Sequence, residues 1–173
     1  MPITLSTPQI IKTKARHIAF IHVVVPRVAS ADKLPANTEA MKDAIHCAFQ
    51  ELFPVLQAQN IEVTGPWFAH HLRKPTDTFD FEISLPVSSA VTPVGRIEAC
   101  ISPVLDAVQT IYTGPYEGLP DAWHSFLDWT KKNGHNLAEH FYEIYTKGPG
   151  QSVESPHYQT ELIGPLAKDC YVG

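Results

Sequence analysis

Apolar side chains recur along the first half of the chain with two different periods. Residues 17–25 are rich in β-branched residues and predict a strand, which Pro26 ends. Residues 36–59 then carry apolar side chains at three- and four-residue steps, the spacing of one face of a helix. Two further apolar runs, 67–72 and 77–87, predict a pair of antiparallel strands. This half is therefore predicted to run strand, helix, strand, strand.

The second half of the chain repeats this order. Residues 104–113 predict a strand. A helix is expected over 120–132, because proline is favoured at the first helical position, and Gly134 is expected to cap its end. Residues 140–147 and 157–166 supply two more strands. The matching order indicates a duplicated unit.

Two acidic residues align the halves. Glu82 lies four residues before Pro86, and Glu161 lies four residues before Pro165, each in an otherwise apolar run. The second pair follows the first at a constant offset of 79 positions. A repeat of this kind predicts a domain with pseudo-two-fold symmetry and a groove on the symmetry axis.

The two predicted helices carry further signals. The pair Leu34-Pro35 matches Leu119-Pro120 at the helix starts. Asn37 or Thr38 is expected to be the N-cap of the first helix, and Pro54 is expected to kink this helix or to split off its last turn. The aromatic residues of the second helix follow its periodicity and are expected in the core: Trp123, Phe126 and Trp129.

These elements predict an α+β fold, a duplicated βαββ unit in one domain of 173 residues. Short strands at 9–14 and 95–101 are expected to add one strand to each half, so that the repeats run from about 9 to 87 and from about 95 to 167. The sheet is expected to be antiparallel, with both helices on one face and a ligand groove on the other.

Composition narrows the classes of function. A net charge of −5 argues against nucleic-acid binding, which needs a basic face. No apolar run approaches the roughly 20 residues that span a membrane, and the start of the chain has no signal-peptide pattern. Cys47, Cys100 and Cys170 have neither disulfide nor zinc spacing. A cytoplasmic protein without a metal or a cofactor is expected.

Strand parity predicts which carboxylates face away from the helices. On the strand at 77–87, Phe81 and Ile83 share one face, which is expected to pack on the helical layer. Glu82 lies on the opposite face, and Glu161 has the same place in the second half. Both carboxylates are therefore expected on the open face of the sheet.

The predicted strands at 67–72 and 140–147 are expected to bring aromatic rings to the same open face. This holds if the side chains on their other face pack inward, namely Phe68, Leu72, Tyr142 and Ile144. The open face then carries the following side chains: Trp67, His71, Phe141, Glu143, Tyr145, Glu82 and Glu161. Aromatic rings around carboxylates suit a flat, apolar and cationic ligand. A solvated face with scattered surface aromatics is the alternative.

Glu161 is the leading candidate for a functional residue. In an apolar groove its carboxylate could pair with a cation or act as a general acid or base. Tyr145 could donate a hydrogen bond to a ligand, or assist catalysis if the protein is an enzyme. His71 is a candidate groove residue, and Tyr116, in the turn before the second helix, is a candidate to close the groove. Glu143 is expected to be a surface charge.

Several motifs resemble those of one family, the GyrI-like small-molecule-binding domain, which is also the effector-binding domain of AraC- and MerR-type transcription regulators. The resemblance covers residues from about 9 to 167. Its main motifs are Phe79-Asp80-Phe81-Glu82, Gly95-Arg96, Tyr112-Thr113-Gly114-Pro115-Tyr116, Tyr142-Glu143-Ile144-Tyr145 and Thr160-Glu161-Leu162.

The resemblance implies a duplicated βαββ fold whose central groove binds hydrophobic, often cationic compounds. It implies a ligand-binding glutamate at Glu161 and groove aromatics at Tyr145 and Trp67. Some members of the family hydrolyse cyclopropane-containing toxins, and others bind DNA gyrase. His71 departs from the pattern, because the family often has a tyrosine in this strand.

Binding of small hydrophobic or cationic compounds is therefore the expected function. Hydrolysis of a reactive ligand, with Glu161 activating water and Tyr145 assisting, is left open. A protein-interaction module that acts on a partner such as gyrase is the alternative. An aromatic-lined groove favours the small-molecule ligand, whereas a large apolar patch elsewhere favours the protein partner.

Overall fold

The computed structural model describes residues 4–27, 34–149 and 153–167. Those residues form nine strands, two α-helices and two short 3-10 helices, Tyr116–Gly118 and Ser155–His157, and every element expected from the periodicity is present. In chain order, the elements are β1 (Thr4–Leu5), β2 (Gln9–Lys12), β3 (His17–Pro26), α1 (Leu34–Ala58), β4 (Phe68–His71), β5 (Thr78–Pro86), β6 (Ile97–Ile101), β7 (Asp106–Thr113), α2 (Leu119–Lys132), β8 (Phe141–Lys147) and β9 (Gln159–Pro165). The predicted α+β class is confirmed.

The chain divides into two compact units. The first unit is Ala15–Pro103, and the second joins the residues up to Lys14 to those from Val104 onward. In the first unit the strand order is β4, β5, β3, β6, with antiparallel pairing throughout. In the second unit β7 pairs with β1, β2 and β9, and β9 pairs with β8, again antiparallel. Each unit is a sheet with one helix, α1 on β3 or α2 on β7.

The two short strands exchange places between the halves. β2 precedes β3 in the chain but pairs with β7, and β6 precedes β7 but pairs with β3. The expectation that each would extend its own half is therefore wrong. The connection at residues 13–16 has no glycine or asparagine for a tight hairpin, so the sequence near β2 does not select β3 as its partner.

The core of the first unit lies between α1 and one face of its sheet. Ile21 of β3 and Phe81 and Ile83 of β5 are fully buried there. The helix contributes Ala48 and Leu52, both fully buried. Burying a side chain of this size stabilises the fold by about 1.5–3 kcal/mol, so this face holds the helix on the sheet.

The core of the second unit is built in the same way. One buried cluster joins the sheet to α2 and consists of Val108, Tyr112, Ala122, Phe126 and Leu162. Trp123 and Trp129 of α2 pack against this cluster while partly exposed. The predicted helical stripe of the second half is therefore confirmed.

The two helices end alike. Asn60 follows α1 with φ 55°, and Gly134 follows α2 with φ 75°. In each case the next residue closes the same backbone hydrogen bond, from Ile61 N to Leu56 O and from His135 N to Thr130 O, both at 2.9 Å. A left-handed residue at this position with such a bond is a Schellman cap. The cap predicted at Gly134 is present.

The start of α1 differs from the prediction. α1 has 25 residues and α2 has 14, and the extra length of α1 precedes the part that matches α2. Leu34-Pro35 and Leu119-Pro120 are therefore not equivalent, and Asn37 and Thr38 lie inside the helix instead of capping it. The helix also continues through Pro54.

The exposure of Pro54 explains why α1 tolerates it. Pro54 and Gln50 are both exposed, so water can satisfy the carbonyl group of Gln50 that loses its helical N–H partner. Among the described residues, neither helix is long and apolar enough to cross a membrane.

Candidate functional site

The register of β8 and β9 sets the face on which Glu143 lies. Glu143 is opposite Leu162, and Tyr145 is opposite Thr160. Side chains that face each other across an antiparallel pair lie on the same face, and Leu162 belongs to the core under α2. Glu143 and Tyr145 therefore point to the helix side, where the Glu143 side chain is only 7% exposed.

Glu161 lies on the other face of the same sheet. Its cross-strand neighbours are Ile111 on β7 and Ile144 on β8. In the first unit Glu82 has His22 and His70 as cross-strand neighbours, also on the face away from the helix. The expected orientation of the two carboxylates is confirmed.

The expected grouping of aromatic rings with those carboxylates is wrong. Trp67 meets Phe49 of α1 edge-on, with ring centroids 5.2 Å apart. His71 is buried and stacks on Phe81 at 5.3 Å. Phe141 meets a ring of α2, as described below. These side chains lie on the helix side. Alternation did not identify this face, because β8 carries large apolar side chains on both faces and the short β4 carries a histidine on each.

Tyr145 and Glu143 form a hydrogen-bonded pair. The Tyr145 hydroxyl donates to Glu143 Oε2 at 3.4 Å. Burial and the neighbouring carboxylate raise the pKa of Tyr145 well above its usual range. The phenol therefore stays protonated and acts as a donor, while Glu143 supplies the acceptor oxygen.

Two more tyrosines stand beside this pair. The Tyr116 ring meets the Tyr145 ring edge-on, with centroids 5.7 Å apart, and lies 5.2 Å from the Tyr158 ring. Burial raises the pKa of Tyr116 to about 12, with contributions from Tyr158 and from the negative charge of Glu143. Tyr116 is therefore a neutral ring within electrostatic reach of the carboxylate.

α2 supplies the remaining aromatic contact. The Trp123 ring lies 4.7 Å from the Phe141 ring and 5.6 Å from the Phe126 ring. Among the described residues, Trp123 Nε1 and Thr160 Oγ1 are buried polar atoms without a hydrogen-bond partner. We call Tyr116, Trp123, Phe141, Glu143 and Tyr145 the Glu143 site.

Some residues of the Glu143 site were predicted and others were not. Tyr116, Phe141 and Tyr145 were expected in a ligand groove, and Glu143 was expected to be a surface charge. The expected core position of Trp123 did not indicate its contact with Phe141. The signal for Glu143 was its spacing of two from Tyr145, which places both side chains on one face of a strand.

The first unit lacks this carboxylate. An offset of 74 positions aligns Trp67, Ala69 and His71 with Phe141, Glu143 and Tyr145. Ala69 is opposite Ile83, just as Glu143 is opposite Leu162. Ala69 is 1% exposed. The equivalent place on the helix side of the first unit is thus apolar.

Two acidic residues of the first unit, Asp80 and Glu82, instead pair with bases on the face away from α1. His70 Nδ1 lies 3.0 Å from Glu82 Oε1, and His22 Nε2 lies 2.5 Å from Asp80 Oδ1. Arg73 Nε also donates to Asp80, at 3.4 Å. In the ranges that the structure describes, no group of three or more side chains has the arrangement of a metal site. These contacts are hydrogen bonds of partly exposed side chains, together with the ion pair of Arg73 and Asp80.

Solved structures share this fold. The crystal structure of the EcmrR C-terminal domain matches with a TM-score of 0.70 and 20% identity over 97% of this chain and 99% of that one. A cryo-EM structure of an EcmrR–DNA complex matches with a TM-score of 0.69 and 22% identity over 94% of this chain, which spans only 57% of the EcmrR chain. SAV2435 bound to tetraphenylphosphonium matches with a TM-score of 0.62 and 11% identity over 94% of both chains.

At these identities the structures show a common fold and nothing finer. No curated protein matches the sequence closely enough to show a relationship. The family model for the GyrI-like small molecule binding domain matches residues 6–167, nearly the whole chain. The chain therefore belongs to the family of GyrI-like small molecule binding domains.

Proposed function

We propose that the protein binds hydrophobic, aromatic cations at the Glu143 site. The observation that carries the proposal is the burial of the Glu143 carboxylate to 7% exposure among aromatic rings. A carboxylate removed from water is stabilised by a cation, and ring faces attract cations within about 6 Å. A lipophilic cation meets both requirements, whereas a hydrated metal ion would lose its water against the rings.

The protonation states of the two phenols support a cationic ligand. Burial raises the pKa of Tyr116 to about 12 and raises the pKa of Tyr145 well above its usual range, so both phenols are neutral at physiological pH. The Glu143 carboxyl is therefore the one group of the named site that can carry a negative charge. A ligand of single positive charge balances it.

One structural neighbour supports the ligand class. SAV2435 was solved with tetraphenylphosphonium, a single positive charge enclosed by four phenyl rings. The likeness in fold makes this compound a suitable probe for the Glu143 site. Its anionic isostere, tetraphenylborate, has the same shape and the opposite charge.

Isothermal titration calorimetry with the two isosteres tests the proposal. We expect tetraphenylphosphonium to bind and tetraphenylborate to bind at least about tenfold more weakly, because a buried carboxylate opposes an anion. Neutral triphenylphosphine oxide is the control for aromatic contact alone. Equal affinity for the cation and the anion would show that Glu143 does not select the ligand.

Hydrolysis at the same site is a second candidate function, favoured by the Tyr145–Glu143 hydrogen bond. Glu143 would accept a proton from water as the water oxygen attacks a strained ring carbon. The ring bond would break, and the leaving carbon would take the Tyr145 proton. The proton on Glu143 would then pass to Tyr145 along their hydrogen bond, which restores both groups. Mass spectrometry of a cyclopropane-containing electrophile after incubation should show addition of one water by the wild type and not by Tyr145→Phe. Equal conversion by the two proteins would contradict this role.

A protein-interaction role and a cytoplasmic location stay predictions. The large apolar side chains with most exposure are spread over both units and include Ile101 at 63% and Val104 at 55%. No contact of the described residues favours a particular protein partner. The small-molecule function is therefore the one that the geometry supports.

A further inference from the structure

Gly148 lies directly against the hydroxyl group of Tyr116. A Cβ atom on Gly148 would overlap the Tyr116 Oη atom, while the next atom of the ring, Cζ, would be at 3.6 Å, an ordinary contact. Gly148 is buried, and it is not among the described glycines with a positive φ angle. The requirement for glycine at this position therefore comes from the Tyr116 hydroxyl and not from the backbone conformation.

The backbone that carries Tyr116 is held independently. Tyr112 donates a hydrogen bond from its hydroxyl to the Pro115 carbonyl at 2.7 Å. A Cβ atom on Gly114 or on Gly118 would overlap that same hydroxyl. Gly114 also has a φ of +148°, which glycine adopts most readily. The turn is wrapped around a buried phenol, so its backbone has little room to shift.

We propose that Gly148 is a positioning residue of the Glu143 site, and that it acts by seating the Tyr116 ring against Tyr145. The inference rests on the proposed function, because Tyr116 is one of the rings of that site. With the turn held by Tyr112, we expect a side chain at position 148 to displace the Tyr116 ring. A displaced ring would lose its edge-on contact with Tyr145, the contact that places it beside the Glu143 site.

A double-mutant cycle tests the proposal. The four proteins are the wild type, Gly148→Ala, Tyr116→Phe and the double variant, each titrated with tetraphenylphosphonium. Tyr116→Phe removes only the oxygen atom that the added methyl group overlaps. We expect Gly148→Ala to weaken binding about tenfold with Tyr116 present and less than about twofold with phenylalanine there.

A second readout needs no ligand. Ultraviolet difference titration should show the phenol with a pKa of about 12 in the wild type moving towards the ordinary value for tyrosine in Gly148→Ala, because the displaced ring regains water. A glycine that served only local packing, without seating the ring, would leave this titration unchanged.

The outcomes separate the inference from the proposed function. Equal weakening by Gly148→Ala in both backgrounds would overturn the inference. The inference would also be overturned if both Gly148→Ala and the double variant failed to fold, because the Tyr116 hydroxyl would then not be the group that the added methyl overlaps. If the wild type does not bind tetraphenylphosphonium, the proposed function fails, and the phenol titration alone decides whether Gly148 positions Tyr116.

Discussion

The two units share a fold and differ in the position of their acidic residues. Each packs one helix on one face of an antiparallel sheet, and each helix ends in the same left-handed cap, at Asn60 or at Gly134. On the helix side the second unit has the buried Glu143 where the first has Ala69. The fold is thus common to both units, and the buried carboxylate belongs to one.

The opposite faces show the reverse difference. In the first unit Glu82 stands between His22 and His70, whereas in the second Glu161 stands between Ile111 and Ile144. In the first unit the histidines give Glu82 and Asp80 hydrogen-bond partners near solvent. Contacts of partly exposed charged groups contribute little to stability. The repeated glutamates, Glu82 and Glu161, therefore reflect the fold that the two units share. Glu143, which has no equivalent carboxylate in the first unit, indicates the candidate site.

The largest effect expected from this comparison is on the cores. Leu52→Ala in the first unit and Phe126→Ala in the second should each lower the free energy of unfolding by about 3–5 kcal/mol, because both side chains are fully buried. Chemical denaturation measures the change. Phe53→Ala is the control on α1, since Phe53 is 49% exposed. A loss no greater than that of the control in either unit would show that the helices are not packed equivalently.

A smaller effect is expected at the helix ends. Gly134→Ala and Asn60→Ala should each destabilise the protein by about 1 kcal/mol, because a left-handed backbone disfavours an alanine side chain. No atom lies within 4 Å of a Cβ placed on Gly134, so the loss would come from the backbone alone. Thermal unfolding measures both variants against Asn136→Ala, an exposed change outside the caps. A neutral Gly134→Ala would break the equivalence of the two caps.

The smallest effect concerns the ion pairs of the first unit. The hydrogen bond with His22, followed by Arg73, lowers the pKa of Asp80 below its usual range. A lowered carboxyl pKa stabilises the fold above the unfolded value of about 3.9, and this stabilisation is lost as the pH falls through the folded value. Asp80→Asn should therefore destabilise by about 0.5 kcal/mol near neutral pH and have no effect in strong acid.

Denaturation at several pH values tests this expectation. The control is Glu139→Gln, which removes an exposed carboxylate in the second unit. At the position equivalent to Asp80, the second unit has Gln159 and so no carboxylate to titrate. A loss of stability in Asp80→Asn that stays constant from neutral to acid pH would contradict the role of the Asp80 charge.

Much of the fold could be predicted from the sequence, because apolar periodicity reports directly on which residues a helix or strand buries. The stripe through Leu52 and the one through Phe126 were visible in this way. The partners of β2 and β6 were not, because a short strand shows its own alternation but not which strand it pairs with. α1 has extra turns at its start, before the part that corresponds to α2. The matching pairs Leu34-Pro35 and Leu119-Pro120 therefore aligned the starts of the two helices wrongly.

The candidate site was predicted only in part, for a reason specific to β4 and β8. β8 carries large apolar side chains on each face, with Tyr142 and Ile144 opposite Phe141 and Tyr145, and the four residues of β4 place one histidine on each face. Alternation cannot decide which of two apolar faces lies inward. The register against Leu162 decides it, and that register is a tertiary contact.

We propose that Glu143, and not Glu161, provides the charge that binds a ligand. Titration of tetraphenylphosphonium into Glu143→Gln and Glu161→Gln, with both variants checked for unchanged folding by circular dichroism, tests it most directly. We predict that Glu143→Gln weakens binding by at least about tenfold and that Glu161→Gln changes it by less than about twofold. Unchanged affinity in Glu143→Gln, or a larger loss in Glu161→Gln, would contradict the account.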